Sequence, residues 1–240
     1  MNLFYSNQII GSIALLDQGE SHHCVKVLRM RKGDQIHFID GNGGYYQGKL
    51  IDDHPLRCEI SIQEIQKNFE KRSYYLHLAI APTKNHDRFE WFVEKATEIG
   101  VDKLTPLLCD HSERKNIRLD RIQKVVLSAV KQSKKAWIPM IEPLIRFEDF
   151  IHGNHPSTDN YIAHCAESEK KSLLHTGSMR SSYLVLIGPE GDFSEREIEF
   201  AKESGFIPVS IGKSRLRTET AGMVIAQIIS DIESLKNIPG

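Results

Sequence analysis

Cysteine is scarce in this chain, and its four copies, Cys24, Cys58, Cys109 and Cys165, stand far apart. No CxxC pair occurs, which excludes a zinc ribbon or a dithiol redox motif. The thiols read as reduced and mostly buried, the usual state in a cytoplasmic protein. His22-His23-Cys24 does not make a metal site, because neighbouring residues point in different directions and no second ligand pair is suitably spaced, so no metal is expected. Long apolar runs are missing too. The opening MNLFYSNQIIGS has no basic stretch ahead of an apolar one, and no segment reaches membrane-spanning length. The expectation is therefore neither secretion nor membrane insertion, and a cytoplasmic location. Nor is one sign of charge in excess: 31 basic and 32 acidic residues give a formal net charge of −1, so bulk charge announces no polyanionic partner. There is no Walker A loop, no GxGxxG and no internal repeat. What is present is ordinary globular material: 240 residues, 40% hydrophobic and 26% charged, enough for one large or two modest domains.

Two halves follow from the patterning. In the first, Ile36 to Ile39, Tyr45 to Ile51 and Arg57 to Ile65 read as short strands, with Gly41-Asn42-Gly43-Gly44 turning between the first two. One short helix is predicted over Ser21 to Arg29, and a small barrel or curled sheet results. Gln66 to Ser73 is charged and reads as a linker. Beyond it, strand-like and helix-like runs alternate. The near-continuous apolar run from Tyr75 to Ala81 suits a strand covered on both faces. Asp87 with Glu90 reads as a helix start, Phe89, Phe92, Val93 and Ala96 recur at helical spacing, and Gly100 is the stop. Strands follow at 104–108, 161–165, 183–187 and 207–211, with a long helix over 119–136 among them. Ser194, Glu197, Phe193 and Ile198 form a capping box and hydrophobic staple for another helix. The last helix carries Ala221, Val224, Ile225, Ile228, Ile229, Ile232 and Leu235, a stripe wide enough to be covered on more than one side, as by a second subunit. The fold class is α/β with a mostly parallel sheet.

Two segments carry chemistry: Ile187-Gly188-Pro189-Glu190-Gly191-Asp192-Phe193-Ser194, and Ile211-Gly212-Lys213-Ser214-Arg215-Leu216-Arg217-Thr218-Glu219-Thr220-Ala221. Each leaves a strand and leads into a helix, and two such turns at neighbouring strand ends make a backbone-lined pocket in an open α/β sheet. Taken alone, GPEG is equally an ordinary strand-to-helix connection. Arg217 offers a permanent charge, and the amides of Thr218 to Ala221 are free at a helix start. His164 ends a core strand, where a hydrogen-bonded core histidine is the plainer alternative. Local charge is more telling than the net value. From Ser112 to Lys135 eight basic residues (Arg114, Lys115, Arg118, Arg121, Lys124, Lys131, Lys134 and Lys135) face Glu113 and Asp120, a local balance of +6. Lys26, Arg29, Arg31 and Lys32 form a second cluster. A solvated helix face is the commoner fate of such runs, but one patch in each half suits RNA.

Together, IGPEGDFS and IGKSRLRTETA resemble the cofactor-binding signatures of the RsmE family of 16S ribosomal RNA (uracil-N3)-methyltransferases. Lys131-Gln132-Ser133 with Ile138-Pro139, and Val27-Leu28-Arg29 with Gly33-Asp34, match further family stretches in order. The resemblance implies a PUA-like RNA-binding β-barrel over 1–70 and a SPOUT-type methyltransferase domain over 74–240. That domain would have a knotted, mostly parallel sheet and a C-terminal trefoil knot, a rare exception to the rule against knots. It also implies S-adenosylmethionine in the knot, a homodimer, and 16S rRNA of the small ribosomal subunit as partner. On this chain the cofactor would meet His164, Ile187, Gly188, Pro189, Glu190, Gly191, Ile211, Gly212, Leu216, Thr220 and Ala221. RNA would meet Lys26, Arg29, Arg31, Arg114, Arg118, Lys131, Lys134 and Lys135. The chain departs from the family pattern at Asp192, where glycine is usual, at Lys213-Ser214-Arg215, and at Lys134-Lys135.

A methyl group on a sulfonium is already activated, so alignment with uracil N3 and disposal of its proton are what the chain must supply. Arg217 is the candidate to stabilise charge developing on the ring oxygens. Glu190 and Glu219 are candidate proton acceptors, or else they orient Arg217 or the backbone. Three other readings compete: action on another RNA base, a non-catalytic RNA-binding assembly factor, and a nucleotide hydrolase, the last disfavoured by the missing phosphate-loop lysine.

Overall fold

The computed structural model describes residues 2–153, 155, 158–176 and 181–236. The chain divides into two compact units, one of residues 1–71 with Leu127–Ile138 and one of Arg72–Val126 with residues 139–240.

The first unit is a six-stranded sheet of β1 (Leu3–Tyr5), β2 (Gln8–Ile10), β3 (Ile13–Leu15), β4 (Gln35–Ile39), β5 (Tyr45–Asp52) and β6 (Glu59–Gln66), ordered β1-β4-β5-β6-β3-β2. Only β1 and β4 run parallel; the other pairs are antiparallel. The β4–β5 turn is held by Asp40, whose carboxylate accepts the Asn42 and Gly44 N–H groups at 2.8 and 2.9 Å. Behind it, Phe38 and Tyr46 stack with ring centroids 4.7 Å apart, over a core that includes Phe4, Leu50 and Ile60. The helix predicted over Ser21 to Arg29 is displaced and divided. Asp17 caps α1 (Gln18–His22) by accepting the Glu20 N–H, a wider π turn covers His23–Val27, and Arg29 stops it at φ 57°.

The second unit is built on an all-parallel sheet. Its elements are β7 (Tyr75–Ile80), α2 (His86–Ile99), β8 (Lys103–Leu108), the first part of α3 (Leu119–Gln132), whose residues from Leu127 on belong to the first unit, β9 (Met140–Ile141), β10 (Ile145–Arg146), α4 (Phe147–His152), β11 (Asp159–Ala163), β12 (Lys171–Ser172), β13 (Ser182–Ile187), α5 (Glu195–Glu203), β14 (Ile207–Ser210) and α6 (Thr218–Lys236). The order is β10-β8-β7-β13-β11-β14-β12, with β9 also on β8. Parallel strands buried on both faces need continuous apolar runs. Tyr183 to Ile187 supplies one, and Leu76 to Ile80 another interrupted by His77, every residue being buried. The predicted cap of α2 moves by two residues: Asn85 is the N-cap and accepts the Asp87 N–H at 2.8 Å. The predicted 119–136 helix ends at Gln132, because Lys134 turns left-handed at φ 56°.

β11 precedes β13 and β14 in the chain yet lies between them. Ala163 is thereby in register with Ile187 on one side and Val209 on the other. Three strand ends, and the turns that leave them, are brought together.

Helix α6 packs on α2 through Gly222, where a Cβ would lie 2.4 Å from the Phe92 ring and 3.0 Å from Ile80. Phe92 is fully buried and has nowhere to retreat. Alanine would gain about 1 kcal/mol of helix propensity over glycine, but overpacking a filled core costs about 1–3 kcal/mol. Gly222→Ala is therefore expected to lower stability in denaturant unfolding. A raised midpoint would contradict this packing.

Candidate active site

The two glycine segments meet. Thr218, the first residue of α6, donates its hydroxyl hydrogen to the Gly188 carbonyl at 3.0 Å, and both residues are buried. Gly188 lies where a Cβ would be 3.0 Å from the Phe193 backbone nitrogen, so its turn can close only around a bare Cα. Gly212 turns the second segment at φ 144°, a conformation side chains rarely adopt.

Around this junction two cavities, of about 360 and 290 Å³, share Ala163, Cys165, Arg215, Leu216 and Ala221 as a common wall. The first extends over His164, Lys170, Ile211 and Gly212. The second is closed by Ile187, Gly188, Pro189, Glu190, Asp192 and Arg217. Both sit at the carboxyl ends of the strands, where open parallel sheets bind ligands. Of the residues expected to hold a cofactor, His164, Ile187, Gly188, Pro189, Glu190, Ile211, Gly212, Leu216 and Ala221 line these cavities. Gly191 and Thr220 lie outside the lining. The Gly191 carbonyl instead faces Nδ1 of His111 at 3.1 Å.

Among the candidate catalytic residues, Arg217 is exposed at the second cavity and makes no ion pair among the described residues. Glu190 is in the same wall, its Oε1 accepting the Lys84 N–H at 2.9 Å. Glu219 is buried outside the lining and lies 3.8 Å from Arg88. His164 is 8% exposed, yet neither ring nitrogen has a hydrogen-bond partner among the described residues. Burial and the nearby Lys170 push its pKa below the usual histidine value, against the smaller opposing pull of Asp192. The imidazole is thus neutral at pH 7 and offers one donor and one acceptor.

The sequence reading missed several members of this site. Lys170 donates to the His164 and Ala166 carbonyls at 3.0 and 2.8 Å, but it comes from a stretch without pattern and carries no local signal. Thr218 reads as a helix opener, and its reach back to Gly188 is a tertiary fact. Arg215 belongs to a quoted segment without having been singled out.

The candidate RNA contacts regroup. Lys131, Lys134 and Lys135 fall in the first unit with Lys26, Arg29 and Arg31, while Arg114 and Arg118 fall in the second. Lys131 is held by the half-buried pair it forms with Glu20. With Asn2, Leu3, His23 and Lys134 it lines a polar cavity of about 440 Å³. Arg114 is engaged by the carbonyls of Thr83 and Lys84 and by His86. Lys26 and Arg29 are exposed, Arg31 is 3.9 Å from Asp53, and Arg118 is 3.7 Å from Asp120. No cluster of three or more His, Cys, Asp or Glu side chains suited to a metal occurs among the described residues. None of their helices is long and apolar enough to cross a membrane.

Comparison with known proteins places this geometry. A family model described as an RNA methyltransferase domain matches residues 70–230, and one described as an RNA methyltransferase PUA domain matches 16–63. Ribosomal RNA small subunit methyltransferase E of Synechocystis is 30% identical over 95% of this chain and 76% of its own. A crystal structure of a probable rRNA-methyltransferase from Porphyromonas gingivalis superposes with a TM-score of 0.92 at 36% identity, covering 99% of this chain and 100% of the other. A ribosomal RNA small subunit methyltransferase E from Neisseria gonorrhoeae, bound to S-adenosyl methionine, gives 0.86 at 26% identity, with 98% of each chain covered.

Thr218→Val keeps the side-chain volume and removes the hydroxyl that joins the segments. Leaving a buried carbonyl unpaired costs about 1–3 kcal/mol. Denaturant unfolding is expected to show a loss of that size; an unchanged midpoint would mean that the two turns are held together by other contacts.

Acid should weaken the fold through His164. A histidine with a lowered folded pKa favours the native state fully above its unfolded value, near 6.5, and that contribution is lost as pH falls through the folded value. Lys170, Lys202, Glu199 and Asp192 are the charged groups acting on the ring. His164→Gln is expected to flatten the decline of stability below pH 6.5. An unaltered pH profile would show that His164 titrates as it does in the unfolded chain.

Proposed function

The chain belongs to the RNA methyltransferase family, and from that premise we propose that it transfers a methyl group from S-adenosylmethionine to N3 of one uridine in 16S rRNA of the small ribosomal subunit. The observation that carries this reading is the junction of the two glycine segments around adjoining cavities. Their volumes, about 360 and 290 Å³, suit a cofactor-sized ligand. The fit is also chemical. The His164 ring is buried with no hydrogen-bond partner among the described residues, and such groups are rare unless a ligand or water satisfies them. His164, the backbone of Gly188 to Glu190, and Ile211, Gly212, Leu216 and Ala221 would hold the cofactor.

S-adenosylmethionine supplies an activated methyl group when bound. The chain's part is alignment, exclusion of water and management of the N3 proton. Loss of that proton leaves negative charge on the ring oxygens, and the exposed guanidinium of Arg217 at the second cavity can stabilise it. Glu190 stands in the same wall and is the better acceptor for the proton. Glu219 is buried beside Arg88 and outside the lining, which gives it a supporting place. Reaching the cavity requires the target base to leave its stack. Lys26, Arg29, Arg31 and Lys134 would hold the surrounding phosphates. Arg114, Arg118, Lys131 and Lys135 belong to the same surface proposal. Arg114 and Lys131 are already engaged by protein groups, and Arg118 lies near Asp120.

A homodimer is part of the proposal. Val224, Ile228 and Ile232 of α6 are only half-buried, and Leu235 is 67% exposed, as a helix face awaiting a second copy would be. So is a trefoil knot, which the placement of β11 between two later strands favours. A ribosomal substrate implies the cytoplasm.

Labelled methyl transfer to small subunits and to naked 16S rRNA, with the product nucleoside identified by mass spectrometry, tests the reaction. Labelled 3-methyluridine at one position is the expected product; another methylated base would replace the uridine assignment. Arg217→Ala is expected to lower kcat by about 10²-fold, the scale of a lost transition-state contact, with the cofactor Kd changed far less. Full turnover in the variant would remove Arg217 from the chemistry.

A further inference from the structure

Asp192 occupies a backbone conformation, φ 65°, that is natural for glycine and uncommon for other residues. Asp is among the few side chains that tolerate it, because a short polar group can bond locally. Here it does: Oδ1 accepts the Phe193 N–H at 2.9 Å. The other oxygen does something glycine could not. Oδ2 accepts the N–H of Cys165 at 2.6 Å, across 27 residues of sequence.

That second bond has structural consequences. Cys165 follows β11 by two residues and belongs to the wall shared by both cavities. The turn carrying Asp192 is fixed on its other side to the end of β8. Ser194 donates to the Asp110 carboxylate at 2.6 Å, Glu197 accepts the Asp110 N–H at 2.9 Å, and the Asp192 carbonyl faces Nδ1 of His111 at 3.1 Å. The turn is thus anchored to β8 whatever residue stands at 192. The Asp192 carboxylate alone, among the side chains of that turn, carries the anchorage on to the strand end beyond β11. Pairing between β11 and β13 stops at Ala163 and Ile187, so no ladder bond holds Cys165.

We propose that Asp192 is a positioning residue for the methyl-donor site: its carboxylate latches the Cys165 backbone to the first glycine turn and so sets the width of the wall between the two cavities. The latch acts before any ligand arrives and through the backbone, not by touching the reacting atoms. It rests on the reading of these cavities as the S-adenosylmethionine site.

Three chains test it: the unaltered protein, Asp192→Gly and Asp192→Asn. Glycine suits the backbone angle and cannot latch. Asparagine also tolerates that angle and can still accept the Cys165 N–H through its carbonyl oxygen. Without cofactor, amide hydrogen exchange at Cys165 is expected to quicken at least ten-fold in Asp192→Gly and to stay near the original rate in Asp192→Asn. By calorimetry with S-adenosylmethionine, Asp192→Gly is expected to bind about ten-fold more weakly, with the melting temperature nearly unchanged, and kcat at saturating cofactor is expected to fall less than affinity. Asp192→Asn should restore most of the binding. Original exchange and original affinity in Asp192→Gly would overturn the latch. Equal weakening in the two variants would overturn it too, since charge alone would then be responsible. If the unaltered protein bound no S-adenosylmethionine, the assignment of the site would fall instead, while the exchange result would still report on the bond.

Discussion

Everything at the site depends on β11 pairing in parallel with both β13 and β14. Parallel strands point their carboxyl ends the same way, so three chain exits emerge along one edge and their loops must share space. A backbone that crowds another backbone cannot carry side chains freely. That is why position 188 is a glycine: a Cβ there would lie 3.0 Å from Phe193 N. Gly212 has open space around it and is a glycine for its backbone angle, φ 144°. The Thr218 hydroxyl then ties the start of α6 to the Gly188 carbonyl. The cavity is not an excavation in a finished fold; it is the space left where three parallel strands end together.

Buried polar groups in the second unit show how unusual His164 is. His77 is also buried and is pushed down to about 3 by burial, with a smaller contribution from Lys103, yet its Nε2 faces the Thr105 hydroxyl at 2.8 Å. Glu197 is raised by burial, but its oxygens accept from Ser194 and Asp110 backbone groups. Glu233 meets Tyr183 and Lys236. Each has a partner that offsets the desolvation of burial. His164 has the burial without a hydrogen-bond partner among the described residues, and it lines the first of the two cavities at the glycine turns. The two buried histidines thus differ in what holds the ring: His77 is bonded within the core, and His164 is not bonded among the described residues.

The alternation of apolar strand and amphipathic helix was legible because each element declares its period locally. The Ser194–Glu197 capping box forms as its spacing requires. Phe89, Phe92, Val93 and Ala96 all turn inward. The failures share a cause, competition between two local signals of similar strength. Asp87 and Asn85 can both cap α2, and the extended backbone at Asn85 decides it. A run of good helix formers continues past Gln132, but the chain turns at Lys134. The three short strands β1 to β3 are too brief to show a period. Site residues supplied from a distance, Lys170 and Cys165 above all, had no sequence signal because their role lies in which strand end they follow.

Local charge counted along the sequence overstated what one segment can offer a phosphate. The +6 stretch is contiguous in sequence, but its cations have different commitments. Arg121 is 2.6 Å from Glu90, Arg114 grips backbone carbonyls, and Lys131 meets Glu20. A cation already held at a carboxylate brings little to a phosphate, because the first partner must be given up as the second is gained. Lys213, Arg215 and Arg217 are exposed at the cavities and make no ion pair among the described residues. Their charge is therefore not committed to a carboxylate among the described residues, and it sits beside the two glycine turns. Positioning by phosphate contacts requires register with the reacting atoms more than total charge. The three cations beside the glycine turns are thus less committed within the protein than Arg121, Arg114 and Lys131 of the longer basic stretch.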